Sequence, residues 1–205
     1  MLYLFKKTIW GKSMKKDVKI IALDMDGVVN SGKLIHQWIE DRWKIEEQNH
    51  NHLTDEDVRL AVRKAYQEEF VHCEELVFTE LAKRITKICE ETDCYILWTS
   101  TWRKLERYQD IEAAKDMFNR RGLPGERLIA YTPQIGMGWA GRCRGSEIKS
   151  WIINNEEYNI IKCAVIDDRI DAGENLPKNA KYFWIDDYIG ITDNNVDDII
   201  EYLKS

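Results

Sequence analysis

The stretch Lys19-Ile20-Ile21-Ala22-Leu23-Asp24-Met25-Asp26-Gly27-Val28-Val29 constrains this chain more than any other. The run Ile20–Leu23 is too short for a helix. It also lacks the polar alternation of a half-solvated strand, so it reads as a buried strand of a parallel sheet. In open α/β sheets, ligands sit beyond the carboxyl ends of such strands, which is where Asp24 and Asp26 stand. Two carboxylates so close repel each other unless a cation lies between them or one holds a proton. Gly27 then permits a sharp backbone turn.

Four more short apolar runs repeat the pattern: Cys94–Trp98 ending in Thr99-Ser100-Thr101, Arg127–Tyr131, Cys163–Ile166 ending in Asp167-Asp168, and Tyr182–Ile185 ending in Asp186-Asp187. Helical periodicity lies between them. Val77, Leu81, Ile85 and Ile88 share one face, as do Val196, Ile199, Ile200 and Leu203, with Thr192 as N-cap of the last helix. Strands alternating with helices predict an α/β fold, a Rossmann-like, doubly wound parallel sheet.

One segment breaks this rhythm. Residues 31–74 are far more than a single crossover needs, and they hold two helical patterns, Lys33–Glu47 and one starting at Thr54-Asp55-Glu56-Asp57. The expected organisation is therefore a core of residues 18–30 and 75–205 with a helical cap inserted at 31–74. Its position beside Asp26 is that of a lid. Residues 1–17 form an N-terminal extension. Within it, Met14 is a natural start, and residues 1–13 read as dispensable.

Composition narrows the function classes. The 205 residues suit one domain with an inserted lobe, and 44% hydrophobic content is enough for a proper core. A net charge of −6 argues against a protein that coats nucleic acid electrostatically. Cys73, Cys89, Cys94, Cys143 and Cys163 form no CxxC pair, which fits buried thiols in a reducing cytoplasm. The apolar start Leu2–Phe5 is too short for a signal peptide or a membrane span.

Polar groups at three strand ends converge on one sheet edge: Asp24 and Asp26, then Thr99, then Asp167 and Asp168. Arg144 precedes the helix starting near Gly145-Ser146-Glu147-Ile148. Clustered carboxylates can build a hard oxygen site for Mg²⁺. A hydroxyl and a guanidinium beside it are what a phosphoryl group requires. A phospho-acceptor receiver domain is set aside, because an aspartate pair comes near the end of this chain.

DMDGV, a strand closing on Thr99-Ser100-Thr101-Trp102-Arg103, a basic residue before a helix, and a strand closing on Asp167-Asp168 resemble, in order and spacing, the four motifs of the haloacid dehalogenase (HAD) superfamily. With Thr132-Pro133, Arg144–Ile148, Trp151 and Asp167–Asp171, the pattern is similar to the HAD domain of modular Swiss Army knife RNA-repair proteins. The resemblance implies a HAD-type phosphatase with a helical cap. Asp24 would be the nucleophile and Asp26 the general acid and base. Mg²⁺ would be held by Asp24, the Asp26 carbonyl and Asp167, with Asp168 or Asp171 ligating through water. Thr99, Ser100 and Arg144 would hold the phosphate. Arginine replaces the superfamily's commonest lysine, and Lys149 one turn on is the fallback.

Substrate residues are less defined. Arg103 is either a substrate contact or half of a structural ion pair. Trp102 is a candidate for stacking on a nucleobase, as are Trp98, Trp139, Trp38 and Trp43; core and lid packing is the alternative for all of them. Trp38, Trp43, Arg42 and Lys44 are the expected lid contacts. His50, His52, His72 and Cys73 fit no usual zinc spacing and read as surface residues. Asp186-Asp187 reads as a solvated turn. The acidic balance and large insert favour a small phosphorylated substrate such as a nucleotide, whereas the narrower resemblance favours a phosphate at a nucleic-acid end. A HAD-like binding module without turnover is the remaining alternative.

Overall fold

The computed structural model describes residues 16–49, 74–135 and 143–205. A five-stranded, all-parallel sheet forms the centre: β1 (Lys16–Leu23), β2 (Tyr95–Trp98), β3 (Leu128–Tyr131), β4 (Tyr158–Asp167) and β5 (Ala180–Trp184), in the order β3-β2-β1-β4-β5. The α/β, Rossmann-like architecture expected from the sequence is present. The chain winds outward from β1 through β2 to β3, then crosses back to β4. That reversal places the crevice of a doubly wound sheet between β1 and β4.

Two strands start earlier than the apolar runs predict. Lys16 and Asp17 pair with Tyr158 and Asn159, so β1 takes two residues assigned to the extension, and β4 begins five residues before Cys163. The β1 end is polar and carries no apolar signal, so ladder hydrogen bonds recruit it, whereas the β4 end also buries Ile160 against the α4 face of the sheet. Arg127, expected in β3, instead closes a 3-10 turn, Gly125–Arg127.

Both sheet faces are covered, which explains the unbroken apolar runs. Ile21 and Leu23 pack with α2 (Thr79–Thr92), α3 (Ile111–Arg120) and α5 (Asp193–Lys204), while Ile20 and Ala22 pack with α4 (Arg144–Asn154). Each such isoleucine or leucine removed from water contributes about 1.5–3 kcal/mol. The predicted helix faces are the buried ones, including Leu81, Ile85 and Ile88 on α2, although Val77, expected on the same face, is buried in the bend that precedes the helix. Thr192 caps α5 through a reciprocal pair, its hydroxyl accepting from the Asn195 N–H while Asn195 Oδ1 accepts from the Thr192 N–H.

Of the insert, the first helix is described: α1 (Gly32–Asn49), whose first amides bond the Asp187 and Tyr188 carbonyls after β5. Ile35 is buried and Trp38 half-buried, whereas the side chains of Arg42, Trp43 and Lys44 lie outside the described residues. The expected second helix, the three histidines at 50, 52 and 72, and Cys73 also lie outside them. The chain leaves and re-enters the core at neighbouring points: the Phe78 N–H bonds the Val29 carbonyl at 3.0 Å, and Glu74 accepts from Tyr108 Oη at 2.5 Å. Among the described residues no helix is long and apolar enough to cross a membrane. Cys89, Cys94 and Cys163 are buried free thiols, as expected, and Cys143 is partly exposed.

Candidate active site

Asp24 is the first residue beyond β1, held there because its own N–H still bonds the Ile166 carbonyl of β4 at 3.1 Å. The residue is 3% exposed. Oδ1 accepts from the Met25 N–H at 2.8 Å, and Oδ2 lies 2.9 Å from Arg144 Nη1. Asp167, the last residue of β4, is fully buried; its Oδ2 accepts from the same Nη1 at 2.9 Å and its Oδ1 from the Arg169 N–H at 2.9 Å. Thr99, which follows β2, is held by its N–H on the Leu23 carbonyl, and its hydroxyl oxygen is 3.4 Å from Arg144 Nη1. Groups from β1, β2, β4 and α4 therefore meet at the reversal point of the sheet.

One carboxylate oxygen each from Asp24, Asp167 and Asp168 lies within 4.8 Å of the others. Arg144 answers only part of this charge. Burial and the Asp24 charge together push the Asp167 carboxyl well up, and push Asp168 up to about 6. Burial works against the Arg144 cation, but Asp24 and Asp167 outweigh it and hold it firmly charged. Three hard oxygen donors in excess over one cation fit a divalent ion such as Mg²⁺.

The loop after β1 is shaped around this cluster. Gly27 has φ of 72°, and a Cβ there would come within 2.8 Å of Asp168 Cγ, so a side chain would both strain the turn and displace the carboxylate. Asp26 is anchored by Asn30 Nδ2 at 2.8 Å and by Trp102 Nε1, which is 3.0 Å from each carboxylate oxygen.

The other expected site residues are distributed as follows. Ser100 is buried, its hydroxyl accepting from the Trp102 N–H at 3.4 Å at the head of a 3-10 turn. Trp102 is fully buried in the core, so its ring is packed rather than open for stacking; Trp98 is likewise a core residue, in edge contact with Phe118. Trp139 lies outside the described residues. Arg103 is buried as well. It donates to the Thr132 carbonyl at 3.1 Å, the Ser100 carbonyl at 2.6 Å, the Thr99 carbonyl, and Glu147 Oε2 at 2.7 Å. The structural ion pair weighed for Arg103 therefore exists, with Glu147 as its partner, although Arg103 still lines a small cavity with Thr101, Lys104, Arg144, Arg169 and Asp171. Lys149 is exposed, in a surface groove with Ser150 and Asn154. Asp171 pairs with Arg169 at 2.9 Å and lies 3.4 Å from the Arg144 N–H at the start of α4. That arrangement leaves Asp168 as the third carboxylate of the cluster. Asp186 closes a turn by accepting from the Tyr188 N–H at 2.9 Å.

Sequence reasoning missed four supporting residues: Asn30, Glu147, Tyr182 and Trp184. Tyr182 Oη shares its one proton between the Asp167 and Arg169 carbonyls, at 3.3 and 3.1 Å, and Trp184 Nε1 donates to the Asp168 carbonyl at 3.0 Å. Three successive carbonyls of the acidic turn are thus pinned from β5. The period-2 spacing of Tyr182 and Trp184 put them on one face, but nothing local identified what that face meets.

The family profile of the HAD domain in Swiss Army Knife RNA repair proteins matches residues 20–196, from β1 into α5. The chain belongs to this HAD family. No curated protein and no solved structure gives a match. HAD domains are generally hydrolases that use Mg²⁺, so the family points to a HAD-type phosphatase or an RNA-repair role. The buried aspartates around Arg144 are the part of the fold able to carry such chemistry.

Proposed function

We propose that this HAD domain is a Mg²⁺-dependent phosphatase working through an aspartyl-phosphate on Asp24. The observation that carries the reading is the Asp24 carboxylate: buried, aimed by the Met25 N–H and Arg144, and next to Asp167 and Asp168. Asp24, Asp167 and Asp168, with the Asp26 backbone carbonyl, would hold the ion. When bound, Mg²⁺ supplies the positive charge that lets a carboxylate approach a phosphate.

An Asp24 oxygen attacks phosphorus in line while the bond to the leaving oxygen breaks, and Asp26 gives that oxygen its proton. Asp26, now a carboxylate, takes a proton from water as the water attacks the same phosphorus. The bond to Asp24 breaks, releasing inorganic phosphate. Thr99, Ser100 and Arg144 hold the non-bridging oxygens. Residues 31–74 act as the cap, with α1 rooted beside the loop after β5, and Trp38 and Trp43 as its substrate contacts.

The substrate is a nucleotide or another small phosphomonoester. A second reading, a phosphate at an RNA or DNA end, is favoured by the family match across residues 20–196. Phosphate release from mononucleotides, sugar phosphates and 3′-phosphorylated oligonucleotides, with Mg²⁺ or EDTA, tests both readings. Mg²⁺-dependent release from mononucleotides that Asp24→Asn abolishes is the expected result. Release only from oligonucleotides would move the assignment to nucleic-acid ends. Release that survives EDTA or Asp24→Asn would overturn the mechanism.

A further inference from the structure

We propose that Trp102 is a positioning residue for proton transfer: its indole N–H holds the Asp26 carboxylate and stabilises the charge that develops there as the leaving oxygen is protonated. The inference rests on the phosphatase reading above and reassigns Trp102 from a stacking surface to a fixed hydrogen-bond donor.

The geometry is specific. Trp102 is fully buried, packed in the core cluster that includes Met25, Val28 and Trp98, so its ring cannot turn to follow a substrate. Its Nε1 stands 3.0 Å from both Asp26 oxygens, a bifurcated contact. Asn30 holds Asp26 Oδ1 from another direction at 2.8 Å, and Asn30 is itself oriented by the Gly27 N–H on its Oδ1 at 2.7 Å. Both donors are therefore locked before substrate arrives. A fixed donor aimed at a group that gains negative charge in the transition state lowers the barrier without reorganisation. Donation to an anion is stronger than donation to a neutral carboxyl, so the contact tightens as Asp26 loses its proton.

This role separates from simple packing by its dependence on the leaving group. An alkoxide needs the Asp26 proton and p-nitrophenolate does not, so Trp102→Phe should slow an alkyl phosphomonoester about tenfold and p-nitrophenyl phosphate less than about threefold, part of the 10²–10⁴ range of general acid catalysis. Because the indole acts through Asp26, adding Trp102→Phe to Asp26→Asn should cost nothing further on the alkyl ester. Equal losses on both esters, or an additive loss in the double variant, would overturn the proposal. Isotope-labelled protein gives a readout without turnover: the assigned Trp102 indole proton should move upfield in Asp26→Ala. An unmoved signal also overturns it, even if Trp102→Phe fails to fold. A wild-type protein that hydrolyses neither ester while the indole signal still responds to Asp26→Ala would bring down the phosphatase reading, and this role with it, yet leave the hydrogen bond standing.

Discussion

Arg103 and Arg144 are both buried and both face carboxylates, yet their surroundings differ in one decisive respect. Arg103 meets one carboxylate, Glu147, and makes three further hydrogen bonds, to the carbonyls of Thr99, Ser100 and Thr132. Burial is the largest influence on it and pulls its pKa down; Glu147 opposes that without overcoming it. Arg144 stands among Asp24, Asp167 and, nearby, Asp168, and the attraction of its partners prevails over burial. An arginine balanced by one carboxylate and several carbonyls has its charge answered inside the fold, even though it borders the cavity beside Arg144. An arginine outnumbered by carboxylates leaves negative charge that a further cation or a bound proton must answer, and such imbalance is what functional sites use.

The sharpest way to break this contrast is Asp24→Asn, which removes one charge from the Arg144 side with almost no change of shape. Turnover should fall to background while circular dichroism and Tm stay near wild type; preserved activity would strip the region of its catalytic role. Arg103→Met should act in the opposite manner. Leaving Glu147 buried without its partner costs about 3–5 kcal/mol, read as a lower urea midpoint, whereas kcat per folded molecule stays within a few fold. Adding Glu147→Leu should restore much of the stability. A raised KM at unchanged Tm would instead return Arg103 to the substrate.

Arg144→Ala should cut kcat by about 10²–10³, the usual loss for a donor to transition-state charge, with Arg144→Lys recovering most of it. If lysine is no better than alanine, a point charge is not what this position supplies. Mg²⁺ at a hundredfold excess over its Kd should add about 2.7 kcal/mol, a Tm rise of about 5–10 °C at this chain length. Asp167→Asn should remove that response and Arg103→Met should keep it, which would localise the excess charge to one of the two regions. As a control remote from both arginines, Thr192→Ala should cost about 1 kcal/mol by uncapping α5, with no change in kcat.

Much of this contrast could not be read in advance. Arg144 was legible because it precedes a helix in a chain whose strand ends carry aspartates, and strand ends of a parallel sheet converge. Arg103 follows Thr99 at a catalytic-looking turn, which made substrate contact and ion pairing equally reasonable. Its Glu147 partner lies 44 positions away, on α4. Trp102 left a similar pair of alternatives, stacking or packing, and the structure shows its ring buried and its N–H on Asp26, 76 positions away.

The sequence by itself determined the strands, the buried helix faces, the Thr192 cap, and the set of residues standing at the sheet's carboxyl edge. These follow from local rules: apolar runs and periodicity dictate burial, and a strand end dictates which side of the sheet a residue reaches. Only the tertiary structure decided the order β3-β2-β1-β4-β5, the early starts of β1 and β4, the capture of Arg103 by Glu147, and the pinning of the acidic turn by Tyr182 and Trp184. The reason is the same for each. A hydrogen bond between distant residues depends on which strands become neighbours and which side chains then share a face, and no spacing along the chain encodes that.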